Sequence, residues 1–114
     1  MDSLEFVKII REVVLNSTVN GIHKTLLHPP GRRPAEGLVE MSNWFLSLSD
    51  EDREMILRII KLTSRDTAFS FLCILDGVVA IEGPDKGNLK LYYERRDEKI
   101  LLNDQSKINL HELI

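Results

Sequence analysis

A chain of 114 residues with 43% apolar and 29% charged residues has the make-up of one ordinary globular domain. No apolar run approaches the ~20 residues that cross a bilayer, and MDSLEF lacks the basic region and cleavage site of a signal peptide. A net charge of -3 argues against generic nucleic-acid binding, which depends on neutralising phosphates. The expectation is a single cytoplasmic domain over 1–114 with no membrane and no nucleic-acid partner.

The first helix is expected to start at Asp2, with Glu5 three residues on as in a capping box. Leu4, Phe6, Val7, Ile9, Ile10, Val13 and Val14 follow at helical spacing, a stripe wide enough to pack on more than one neighbour. Asn16-Ser17-Thr18 weakens the helix. Val19, Ile22 and Leu26 then restore the period, giving a second short helix over 18–28 or a bent continuation of the first. His28-Pro29-Pro30-Gly31-Arg32-Arg33-Pro34 is a firm break, because proline lacks a donor and disfavours helix before it.

Pro34 suits the first position of the next helix, whose apolar stripe is Leu38, Met41, Phe45 and Leu48. Trp44 lies beside that stripe, at a spacing that suits the core. Ser49 is expected to cap a further helix, with Asp50, Glu51 and Asp52 at its positive dipole end and Arg58 and Lys61 towards its negative end. Met55, Ile56, Ile59 and Ile60 form its expected buried face. Phe69–Leu75 reads in two ways. Asp76-Gly77 can form a type I′ hairpin turn between FLCIL and VVAIE, or it can end a helix begun near Ser64 or Asp66, with Gly77 in the left-handed position after it. The helix is preferred, since Asp66-Thr67-Ala68 does not look like entry to a strand.

Leu89, Leu91 and Tyr93 alternate with Lys90, Tyr92 and Glu94, the period of a half-buried strand. Arg95–Glu98 reads as a polar turn, and Ile100 and Leu102 as the return strand, with Glu94 opposite Lys99. Asn109 and Glu112 can cap a last turn carrying Leu110, Leu113 and Ile114. The expected fold is α+β, an N-terminal helical bundle packed on a small antiparallel sheet or hairpin.

No motif of bond-making chemistry emerges. Cys73, the single cysteine, sits in the most apolar run and reads as a core thiol. His23 and His28 are five apart and His111 is distant, so no zinc spacing arises. Gly83-Pro84-Asp85-Lys86-Gly87 lacks the order of a phosphate loop and reads as a turn. His28 reads as a loop residue and His111 as a surface or cap residue. Neither an enzyme nor a cofactor is expected.

The candidates for recognition are the acidic cluster Asp50, Glu51, Asp52 and Glu54, suited to a cationic partner, and Tyr92, which alternates outward from Tyr93. FLCILDGVVAIE, KLYYERRDEKILLND and LHEL, within residues 69–113, resemble small bacterial proteins of the toxin-immunity type. The resemblance implies a compact cytosolic inhibitor that binds and blocks one cognate toxin. The acidic cluster separately suits a basic toxin domain as the partner. The alternative is a regulatory or scaffolding module that forms homo-oligomers through a hairpin edge.

Overall fold

A computed structural model describes residues 1–79, 83 and 87–114. The chain is mostly helical, with one two-stranded antiparallel sheet among the described residues, and so belongs to the α+β class. Its elements are α1 (Ser3–Ile9), a π-helical stretch (Ile10–Asn16), α2 (Ser17–Leu27), α3 (Glu36–Ser47), α4 (Asp50–Leu75), β1 (Tyr92–Arg95), β2 (Glu98–Leu101) and α5 (Leu110–Leu113). Its packing groups into two compact units, Met1–Glu12 with Asp66–Ile114, and Val13–Arg65.

In the unit built from the chain ends, α1 begins as its sequence requires. The Glu5 amide donates to the Asp2 carboxylate at 2.8 Å, and the Asp2 amide donates to the Glu5 carboxylate at 3.2 Å. This reciprocal pairing satisfies amides that lack helical partners. Val7 on α1, Leu72 on α4 and Leu110 on α5 form the buried cluster, flanked by Phe6, Leu75, Leu113 and Ile114. Burying each of the larger side chains contributes about 1.5–3 kcal/mol. The Ser3 hydroxyl donates to the Leu102 carbonyl at 2.6 Å, joining α1 to the end of the hairpin.

The preferred reading of 69–75 holds. α4 ends at Leu75, and Gly77 takes φ 74. The Val78 amide reaches the Cys73 carbonyl at 3.1 Å and the Gly77 amide reaches that of Ile74 at 3.1 Å. This crossed pair closes the helix in the Schellman manner, with glycine where a Cβ is disfavoured. The hairpin alternative fails for 69–75, while Ala80, Ile81 and Glu82 lie outside the described residues. So do Pro84, Asp85 and Lys86 of the expected 83–87 turn.

β1 and β2 pair Tyr93 with Ile100 and Glu94 with Lys99, the latter with an ion pair of 3.5 Å, as the alternation implies. The turn is tighter than expected. Arg95 and Glu98 are themselves paired, leaving Arg96 and Asp97 to reverse the chain, with Arg96 at φ 55. Two-residue hairpin turns demand such left-handed geometry to match the twist of the strands. Leu89 is exposed, so the half-buried face is confined to Leu91, Tyr93 and Ile100, with Leu102 buried beyond it, while Leu101 is half-buried on the opposite face beside Tyr92.

In the unit Val13–Arg65, α2 continues directly from the π-helical stretch, a continuation of the first helix that the sequence allowed. Val19, Leu26 and Phe45 are its buried apolar residues. The buried Ser42 hydroxyl donates to the Leu26 carbonyl at 2.7 Å, which ties α3 to α2. The His23 ring meets Phe45 edge-on at 6.1 Å.

Four expectations are corrected here. Pro34 is not the first residue of α3: the helix starts at Glu36, because the Ala35 carbonyl receives the amides of Leu38 and Val39. Trp44 is 53% exposed, since Ser42 and Phe45 occupy the inner face of α3. Met55 and Ile59 are also exposed, and Ile56, Leu57 and Ile60 take the half-buried positions. Finally, α4 does not stop near Lys61 but runs unbroken to Leu75. Thr63-Ser64-Arg65 carries no proline or glycine to break it, and the Thr63 hydroxyl bonds back to the Ile59 carbonyl at 2.8 Å.

Candidate functional site

The acidic cluster opens α4. Ser49 stands before the helix, and its hydroxyl accepts the Asp52 amide at 3.2 Å. This cap frees the carboxylates from capping duty. Asp50, Glu51, Asp52 and Glu54 are all exposed. Their charges lie at the positive end of the helix dipole, which favours them there.

The one base among these acids is turned away from them. The Arg53 guanidinium donates to the carbonyls of Phe45, at 3.1 Å, and Leu46, and lies 5.7 Å from the Phe45 ring centre. Arg53 therefore closes the last turn of α3, and the surface of the cluster remains wholly acidic. Trp44 and Leu46, on the turn Arg53 closes, are both exposed. An aromatic anchor near a charged rim is the usual composition of a protein-binding surface.

Tyr92 lies on the hairpin, in the other compact unit, and is exposed. The Lys99 ammonium stands 4.4 Å from its ring centre. That placement follows from the ladder, because Tyr92 opposes Leu101 and Lys99 is the diagonal neighbour on the same face. Tyr92 thus presents an aromatic face already partnered by a cation.

Sequence reasoning missed a polar network that ends at Asp76. This residue, read only as half of a turn, is buried at the carboxyl end of α4. A carboxylate is unfavourable at that end of a helix. It is held by donors from α5: the Leu110 amide at 3.1 Å, the His111 amide at 2.8 Å and His111 Nδ1 at 2.7 Å. Asp76 therefore caps α5 in place of Asn109, whose side chain donates instead to Glu112 at 3.1 Å. His111 is correspondingly not a surface residue; its ring is half-buried and meets Phe69 edge-on at 5.5 Å. The available signal was Asp76 itself, an acid at a helix end that calls for positive partners.

Asn103 is the second missed residue. Its side-chain oxygen accepts the Leu91 amide at 2.8 Å, and its amide nitrogen donates to the carbonyls of Leu75 at 2.6 Å and Leu89 at 2.9 Å. Asn103 also borders a small cleft of about 170 Å³ with Asn88, Leu89, Lys90, Leu101 and Gln105. Its polar atoms are already spent on the backbone, which makes it a structural clamp.

The Cys73 thiol is pushed above its ordinary value by burial and, secondarily, by the Asp76 carboxylate. It is protonated at neutral pH and a poor nucleophile. Among the described residues, no group of three His, Cys, Asp or Glu side chains is placed to hold a metal ion, and no helix is long and apolar enough to cross a membrane. No protein-family model, no curated protein and no solved structure matches this chain.

Proposed function

We propose that the chain is a non-catalytic binding protein of the immunity type, a cytoplasmic bacterial inhibitor of a cognate toxin. The observation that carries the reading is the acidic opening of α4. Four exposed carboxylates stand there while Arg53, the one base among them, is engaged elsewhere. Such a surface attracts a basic partner over a Debye length and speeds its encounter. Trp44, exposed on α3, supplies the aromatic anchor that gives such encounters affinity.

The test is coexpression with the product of the neighbouring gene, followed by copurification and a survival assay. The reading expects a stoichiometric complex and protection of cells. No complex and no protection would end it.

Self-association through the hairpin is the weaker reading. The sheet has two strands, so each has an unpaired edge among the described residues. Glu94, Arg95, Glu98 and Lys99 fill those strands with charge, a pattern that discourages strand addition.

A further inference from the structure

The segment 55–65 of α4 is apolar on two sides. Ile56, Leu57 and Ile60 are half-buried, while Met55, Ile59 and Leu62 are 49%, 51% and 58% exposed. The exposed three recur at i, i+4 and i+7, the spacing by which a helix anchors in a groove. A second apolar stripe beside the half-buried one is normally covered by a partner.

The same unit contains an open groove of about 350 Å³ between α2 and α3, lined by Ile22, Thr25, Leu26, Leu38 and Met41. In this chain the groove stays open and the stripe stays exposed. Their charges are complementary. Glu36 and Glu40 are the only charged residues of α3, and both are acids. Arg58, Lys61 and Arg65 are the charged residues of 55–65, and all are bases.

We propose that two copies of the chain associate by seating the Met55–Ile59–Leu62 stripe of each in the α2/α3 groove of the other. Each copy offers one stripe and one groove, so a two-fold pair makes the contact twice and closes. The basic segment then meets the acidic helix, which fixes the orientation. This goes beyond the toxin-binding reading and does not depend on it, because the stripe and the groove are built from residues other than Asp50, Glu51, Asp52 and Glu54.

The experiment is sedimentation equilibrium of the full chain, with Ile59→Glu and Met41→Glu as separate variants. The expected result is a particle of twice 13.1 kDa for the wild type. Each variant is expected to raise the dissociation constant roughly 100-fold or more, since a charge would enter an apolar contact. A second measurement covers the case in which a variant fails to fold. Met41→Cys and Ile59→Cys chains, each in a Cys73→Ser background, are mixed under mild oxidation. A cross-linked pair is expected from the mixture and not from Met41→Cys alone. A wild type that sediments as a monomer at high micromolar concentration overturns the proposal. So does a dimer that survives both charge insertions and gives no mixed cross-link, which places the interface on another surface.

Discussion

The Arg53 guanidinium donates to the Phe45 carbonyl at 3.1 Å, so a residue of α4 completes the end of α3. Helix ends leave carbonyls without full helical pairing, and here one planar cation serves those of Leu46 and of Phe45, the latter also accepting the Leu48 amide at 3.2 Å. Its approach to the Phe45 ring adds a cation–π contact over the residue that anchors the α2/α3 pair. Arg53→Ala is expected to destabilise the protein by about 1–3 kcal/mol through lost charged hydrogen bonds. Arg53→Lys should recover only part of this, because an ammonium cannot reproduce the fork. Urea unfolding followed by circular dichroism measures both.

Asp76→Ala removes the acceptor shared by the Leu110 and His111 amides and the His111 ring. Buried donors left without a partner cost about 1–3 kcal/mol each. The expected loss is several kcal/mol, larger than that for Asn109→Ala, the nominal cap residue. An equal effect of the two substitutions in denaturant titrations would contradict the capping role of Asp76.

Gly77→Ala is expected to cost about 1 kcal/mol or more, because φ 74 is a left-handed conformation that a Cβ disfavours. The added carbon would also lie 2.9 Å from the Gln105 side-chain nitrogen. Since that nitrogen ends a flexible side chain, Gln105→Ala in the same chain should relieve the crowding and leave the backbone strain. The shift of melting temperature in the single and double variants separates the two effects.

The pH dependence has two limbs. Cys73 has its proton held more tightly in the folded state than its ordinary value of 9.0 allows. Above 9.0 the unfolded chain releases that proton first, so stability falls as pH rises through the folded value. Cys73→Ala should flatten this alkaline loss, and native Cys73 should react slowly with a thiol reagent until the chain unfolds. Asp104 is displaced the other way, held down by the Ser106 hydroxyl and amide. Its contribution is present above the ordinary carboxylate range and lost as pH falls through the lowered folded value. Ser106→Ala should shrink that acid limb in a pH series of unfolding curves.

Asp50→Lys combined with Asp52→Lys is expected to slow association with the proposed basic partner by roughly tenfold or more at low ionic strength, with the difference shrinking in high salt. The same pair costs folding stability about 0.3–1 kcal/mol per position, since a cation at the start of α4 opposes its dipole. Stopped-flow binding across a salt series reads the first effect. An association rate equal to the wild type at low salt would remove the acidic cluster from the interface.

The local rules were the legible part of this chain. Asp2 and Glu5 spell a helix start because both partners lie within one turn, and Leu91, Tyr93 and Ile100 spell a hairpin because its contacts are few residues apart. The unbroken length of α4 was less visible. Thr63-Ser64-Arg65 has only moderate helix preference, and it continues the helix because nothing in it forbids continuation. The exposures of Trp44, Met55 and Ile59 were illegible for another reason. Periodicity gives the angular spacing of apolar residues but not which of two apolar faces finds a neighbour. Asp76, Asn103 and His111 were illegible because their partners lie far along the chain, and a side chain that bonds a distant backbone leaves no local pattern.

The four residues of α5 are too few to form a helix alone, since a first turn costs more entropy than one hydrogen bond returns. Asp76 holds one end of it, and the Arg11 guanidinium holds the other by donating to the Leu113 carbonyl at 2.7 Å. This last turn is therefore a passenger of α4 and of the π-helical stretch that follows α1, formed only once both are in place. Its amides should exchange with solvent at the rate set by opening of the whole unit, although a lone turn of this length would exchange almost freely.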